Sequence, residues 1–78
     1  MKKKIKASEV RQGETILDPS ANNKRRTITQ IVTAGKDSAV GEGQVKLFGM
    51  LDELEMGMPS FGGPVLQEDE LVTIWWVG

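Results

Sequence analysis

The segment Leu71-Val72-Thr73-Ile74-Trp75-Trp76-Val77 decides how this chain reads. It concentrates β-branched and aromatic residues, the types that fit a pleated surface, and it holds both tryptophans. Its length suits a strand and falls short of a free-standing helix. The alternate sets are Val72, Ile74, Trp76 and Leu71, Thr73, Trp75, Val77, and both are mostly apolar. A strand with one wet face carries apolar residues on one set only. The segment is therefore expected to close a small β-fold. One tryptophan should enter the core and the other should face the 49–70 stretch, a second subunit or a partner.

Working back from that strand, Lys4-Ile5-Lys6-Ala7-Ser8 alternates polar and apolar residues and predicts a short first strand with Ile5 and Ala7 inward. Ser8 then suits the N-cap of one helical turn, which Gly13 ends by taking a left-handed conformation. Glu14 to Asp18 resumes extended structure, and Asp18-Pro19-Ser20-Ala21-Asn22-Asn23 is loop material. Lys24 to Thr33 is a second clear strand. Its apolar residues Ile28, Ile31 and Val32 break strict alternation, and a β-bulge near Thr29-Gln30 would return Ile28 and Ile31 to one face. Gln44 to Phe48 alternates again, with Val45 and Leu47 inward. The 49–70 stretch is a long connection, of a length uncommon in compact domains unless functional. Within it, Met50 to Met56 suits two helical turns, and Val65-Leu66 suits a return to the sheet edge.

Ala7-Ser8-Glu9-Val10-Arg11-Gln12-Gly13-Glu14-Thr15-Ile16 resembles the small–Ser–acid–aliphatic–x–x–Gly–acid–x–aliphatic opening of several SH3-like small barrels, the translation-elongation and KOW-type barrels among them. Arg26 to Ile31, followed by a Gly-containing loop and Val45-Lys46-Leu47, is similar to their central hairpin. The resemblance covers about half the chain and carries no site residue with it. It implies an all-β fold, a five-stranded SH3-like barrel or roll with one or two short helical turns, formed by residues 1–78 as one domain.

Composition narrows the chemistry. The chain has 78 residues, no cysteine and no histidine. Disulfides and thiolate metal sites are excluded, and zinc would have only carboxylates to bind. Cys–His and Ser–His pairs are excluded too, and with them the usual base near neutral pH. A non-catalytic protein without a cofactor is expected. No run approaches the ~20 apolar residues of a membrane span. The basic start is followed by Ile5-Lys6-Ala7-Ser8-Glu9, not by an apolar stretch, so a cytoplasmic location is expected. A chain so small, free of export signals and enzymatic groups, suits a phage- or mobile-element accessory protein. The net charge of −1 hides an asymmetry: residues 1–26 carry eight basic groups against three acids, and residues 27–78 carry two against eight. Such a dipolar chain either steers a charged partner or pairs its own halves.

Four features are candidates for function. Met56, Met58 and Phe61, framed by Gly and Pro, are adaptable apolar side chains that mark protein-binding surfaces when exposed. Trp75 joins them as the tryptophan assigned to the binding face. Alternatively Met50, Met56, Met58 and Phe61 fold back as a lid, since so small a barrel needs every apolar side chain. A second feature is basic: Lys24, Arg25 and Arg26, joined by Lys4 and the rest of the basic start, would attract phosphate backbones. An exposed Trp or Phe beside them would stack bases. The acidic groups Asp52, Glu53, Glu55 and Glu68, Asp69, Glu70 lack a calcium-loop pattern and read as solvated surface. Gly41-Glu42-Gly43 lacks the Lys-Ser/Thr of a phosphate loop. A protein-interaction module, with another protein or a second copy as partner, is the first expectation, and a nucleic-acid-binding barrel the alternative.

Overall fold

In the computed structural model the described residues are 2–53, 57–58 and 60–75. Their strands are β1 (Lys2–Lys6), β2 (Thr15–Asp18), β3 (Lys24–Thr33), β4 (Gln44–Leu51), β5 (Phe61–Gly62), β6 (Val65–Gln67) and β7 (Leu71–Trp75). They form one open antiparallel sheet in the order β1-β7-β2-β3-β4-β5, with β6 also paired to β4. The strands number seven where five were expected. Two of the seven, β5 and β6, come from the 49–70 stretch, which is therefore not structureless. β4 itself reaches Leu51, so Met50 and Leu51 are extended where a helical turn was expected. Residues 54–56, the end of that segment, lie outside the described residues. Among the described residues no helix is long and apolar enough to cross a membrane.

The sheet's face assignment follows from alternation and one bulge. β3 and β4 pair in register from Arg26–Leu51 to Ile28–Gly49, then shift before Gln30–Phe48 and Ile31–Leu47. Residues an odd number apart point to opposite faces of a regular strand. The extra residue at Thr29 restores Ile28 and Ile31 to the same side, as the sequence predicts. Ile28 is fully buried and Ile31 packs against the core. Val45 and Leu47 of β4, and Val72 and Ile74 of β7, face inward with them. Gly49 stands opposite Ile28, and a Cβ there would overlap the Thr27 carbonyl. The two strands approach too closely for any side chain.

Two short 3₁₀ turns complete the frame. Ala7–Glu9 follows β1 and begins one residue before the expected Ser8 cap, with Lys6 as N-cap. The Lys6 N–H donates to Glu9 Oε1 at 3.0 Å. Ala7 is fully buried, and its N–H donates to the Glu70 carbonyl at 2.8 Å. That bond fixes the end of β1 to the turn between β6 and β7. Gly13 takes φ +91°, and its N–H donates to the Ile28 carbonyl at 2.7 Å.

The second turn, Pro19–Ala21, starts from Asp18, whose carboxylate is fully buried. A carboxylate in an apolar interior is costly unless every oxygen is satisfied. Here Oδ1 accepts from the Ser20 N–H at 2.8 Å and from the Ser20 hydroxyl at 2.6 Å. Oδ2 accepts from Arg26 Nε at 2.5 Å. Arg26 is 5% exposed. Its Nη1 donates to the Gly49 carbonyl at 2.9 Å and the Ser60 carbonyl at 3.4 Å. One guanidinium thus joins the β2–β3 hairpin, β4 and the segment that enters β5.

Candidate functional site

Residues directly opposed in an antiparallel sheet share a face. One cross-strand row on the outer face therefore runs Lys2, Trp75, Thr15, Thr27, Met50, Phe61. The Thr15 and Thr27 hydroxyl oxygens lie 3.2 Å apart, consistent with that common face. The next positions along the strands on the same face are Lys4, Thr73, Leu17 and Arg25. The row has a cationic, aromatic end at β1 and β7 and an apolar end at β4 and β5.

At the first end, β2 and β7 pair only at Thr15–Trp75 and Ile16–Ile74. Leu17 and Thr73 lie beyond that pairing, and a recess of about 560 Å³ opens between them. Its other walls are Lys2, Asn23, Lys24, Arg25, Glu53 and Trp75. The Trp75 ring is half-buried at the wall, with Lys2 Nζ 5.8 Å and Arg25 Cζ 5.6 Å from its centroid. Both distances fall in the range where a cation is attracted to the ring quadrupole. The recess so combines three cations, one carboxylate, an amide and an indole. It can hold an anion against Lys2, Lys24 and Arg25 and a flat ring against Trp75.

Of the basic residues expected to act together, Lys24 and Arg25 are in this recess and Lys4 is exposed on the same face opposite Thr73. Arg26 is not available. Its side chain is turned to the interior, where Asp18 and two carbonyls occupy it. Alternation explains the correction, because Arg26 shares the parity of the core residue Ile28. Lys2 enters the recess because β1 pairs with β7 in the register Lys2–Trp75. Glu53 and Asn23 were missed as recess residues. No local pattern marks them, since the register of four strands brings them there.

At the other end, Phe61 is 63% exposed and Met58 68%, with Met50 at 37%. Neither Met58 nor Phe61 covers the core, which corrects the lid expectation for these two side chains. Phe48 is half-buried on the same face, with Lys46 Nζ 5.7 Å from its ring centroid. Met56 and Trp76 lie outside the described residues. Among the described residues no group of three or more acidic side chains is placed to hold a metal ion. No family model, curated protein or solved structure matches the chain.

Proposed function

We propose that this chain is a non-catalytic binding module, a small SH3-like β-barrel that takes single-stranded nucleic acid across its outer face at Trp75. The barrel is supported by one connection. β6 pairs with β4 near one end of the sheet and β7 pairs with β1 and β2 near the other. Only Glu68, Asp69 and Glu70 join them, and the Glu70 N–H donates to the Gln67 carbonyl at 3.1 Å. Four residue steps span at most ~14 Å, a short reach that favours a sheet curled toward closure over a flat one.

The observation that carries the function is the Trp75 ring with both Lys2 and Arg25 in cation–π range at the edge of a cationic recess. Stacking a base on an aromatic side chain is worth about 1–3 kcal/mol. An exposed cation–π contact is worth about 0.5–1 kcal/mol. A base can therefore displace one cation from the ring with net gain. The displaced Lys2 or Arg25 stays within reach of the phosphate of the same nucleotide. A duplex hides its base faces in its own stack, which is why a single strand fits this surface.

Three recess cations predict a salt dependence. With a slope of about −0.7 per neutralised phosphate on a single strand, log affinity should fall with log salt at about −2. That is a loss of roughly twentyfold between about 50 and about 200 mM salt. Arg25→Gln should weaken binding about fivefold and flatten the slope by about 0.7. Fluorescence anisotropy with labelled oligo(dT) measures both. Absence of binding at the lower salt would refute the proposal.

A second reading rests on the exposure of Phe61 and Met58. Exposed Met and Phe suit a protein partner or a second copy of this chain. If the second copy is the partner, Phe61→Ser should abolish concentration-dependent association in sedimentation velocity. A change this exposed should cost no more than about 0.5 kcal/mol of stability. A chain that stays monomeric up to millimolar concentration would remove self-association from this reading.

A further inference from the structure

Glu53 is the unexpected member of the recess. A site that held only phosphate would gain nothing from a carboxylate among Lys2, Lys24 and Arg25, because like charge repels the ligand. A carboxylate accepts hydrogen bonds and donates none. Toward a ligand, it favours a group that offers hydrogen-bond donors, such as N–H groups. Nucleobases differ in that respect along the edge they expose when unpaired. Guanine presents N1–H and the N2 amino group side by side, which matches the two oxygens of one carboxylate. Cytosine and adenine each offer an amino group next to a ring nitrogen that repels a carboxylate. Thymine and uracil offer one N–H between two repelling carbonyl oxygens.

We infer that the recess reads a guanine of the bound strand, with the base stacked on Trp75 and its N1–H and N2 amino group donating to the Glu53 carboxylate. Lys2 and Arg25 hold the adjoining phosphates. This rests on the reading of the recess as a single-strand site and adds base preference to it. Glu53 is a solvent-exposed side chain two residues past the end of β4, so replacing it tests recognition without disturbing the core. A guanine strand and a free guanine nucleotide share the same chemistry at this carboxylate, and the experiment separates them.

The test uses labelled oligo(dT), the same strand with isolated dG residues, and one with dI at those positions, which lacks the N2 amino group. The dG strand should bind about tenfold tighter than oligo(dT), the usual scale of a bidentate base contact. The dI strand should lose most of that gain. Glu53→Gln should bring the dG and dT strands to within about twofold of each other. It should also tighten oligo(dT) binding, because a negative charge leaves a cationic recess. Equal binding of all strands by the native chain overturns the guanine inference and leaves the single-strand reading standing. A dG preference that survives Glu53→Gln overturns it as well. Displacement of the dG strand by GMP as effective as by unlabelled strand overturns the strand-borne guanine in favour of a mononucleotide site. Failure of every strand to bind at low salt overturns both readings together.

Discussion

Asp18→Ala is expected to lower the melting temperature by at least about 12 °C. The carboxylate of Asp18 is fully buried against Arg26. Removing one partner of a buried pair costs about 3–5 kcal/mol, because the other charge remains in the interior uncompensated. In a domain of this size each kcal/mol shifts the midpoint by roughly 4–8 °C. Total stability at this length is on the order of 4–12 kcal/mol, so the loss is a large fraction of the whole. The Ser20 N–H and hydroxyl would lose their acceptor at the same time. Asp18→Leu combined with Arg26→Met should recover more than half of the loss, since an apolar pair of similar volume replaces a buried ion pair at little cost. Recovery stays partial because the Gly49 and Ser60 carbonyls lose the Arg26 donor. Thermal unfolding followed by circular dichroism decides it. An Asp18→Ala midpoint within about 3 °C of the native one would mean that the pair is solvated and not structural.

The same pair shows where sequence reading stops. The core faces of β4 and β7 were legible because Val45/Leu47 and Val72/Ile74 repeat at a spacing of two, the period of a strand. The bulge at Thr29 was legible because three apolar residues in β3 violate that period in a way one inserted residue repairs. Arg25 and Arg26 differ in neither type nor neighbourhood along the chain, yet one lines a surface recess and the other sits in the core. Parity held the missing signal: Arg26 is two residues from Ile28, and Asp18 two from Ile16, so each carries the inward phase of its strand. Taken together, an acid and a base at inward positions of neighbouring strands point to a buried pair. A combined Arg25→Glu and Arg26→Glu substitution would unfold the chain for that reason and say nothing about nucleic acid. The recess was hidden in a different way. Lys2 and Trp75 are far apart in sequence, and Trp75 meets Arg25 only through the registers of β7 on β2 and β2 on β3. Composition placed cations and an indole in the chain; pairing alone put them together. The return of the chain to the sheet at Val65-Leu66 was legible and is β6, whereas the two-residue β5 was obscured because its Gly62 and the Gly63-Pro64 that follow carry no strand signal.

Trp75→Ala should reduce affinity for a single strand by roughly one to two orders of magnitude, the loss of about 1–3 kcal/mol of stacking. The salt slope should stay near its native value of about −2, because no charge is removed. This pairing of results separates the indole from the cations that flank it, as Arg25→Gln changes the slope and Trp75→Ala does not. Trp75→Phe keeps a ring at the wall of the recess and should retain most of the binding. Trp75 is only half-buried and belongs to the outer row, so the alanine variant should remain folded, which circular dichroism checks directly. If Trp75→Ala binds oligo(dT) as tightly as the native chain, the ring is no stacking platform, and its two cations are simply packed against a convenient apolar surface. If instead affinity falls while the slope holds, the outer face of β1, β7, β2 and β3 is where the strand lies, since there the Trp75 indole stands beside two cations that can pass from ring to phosphate.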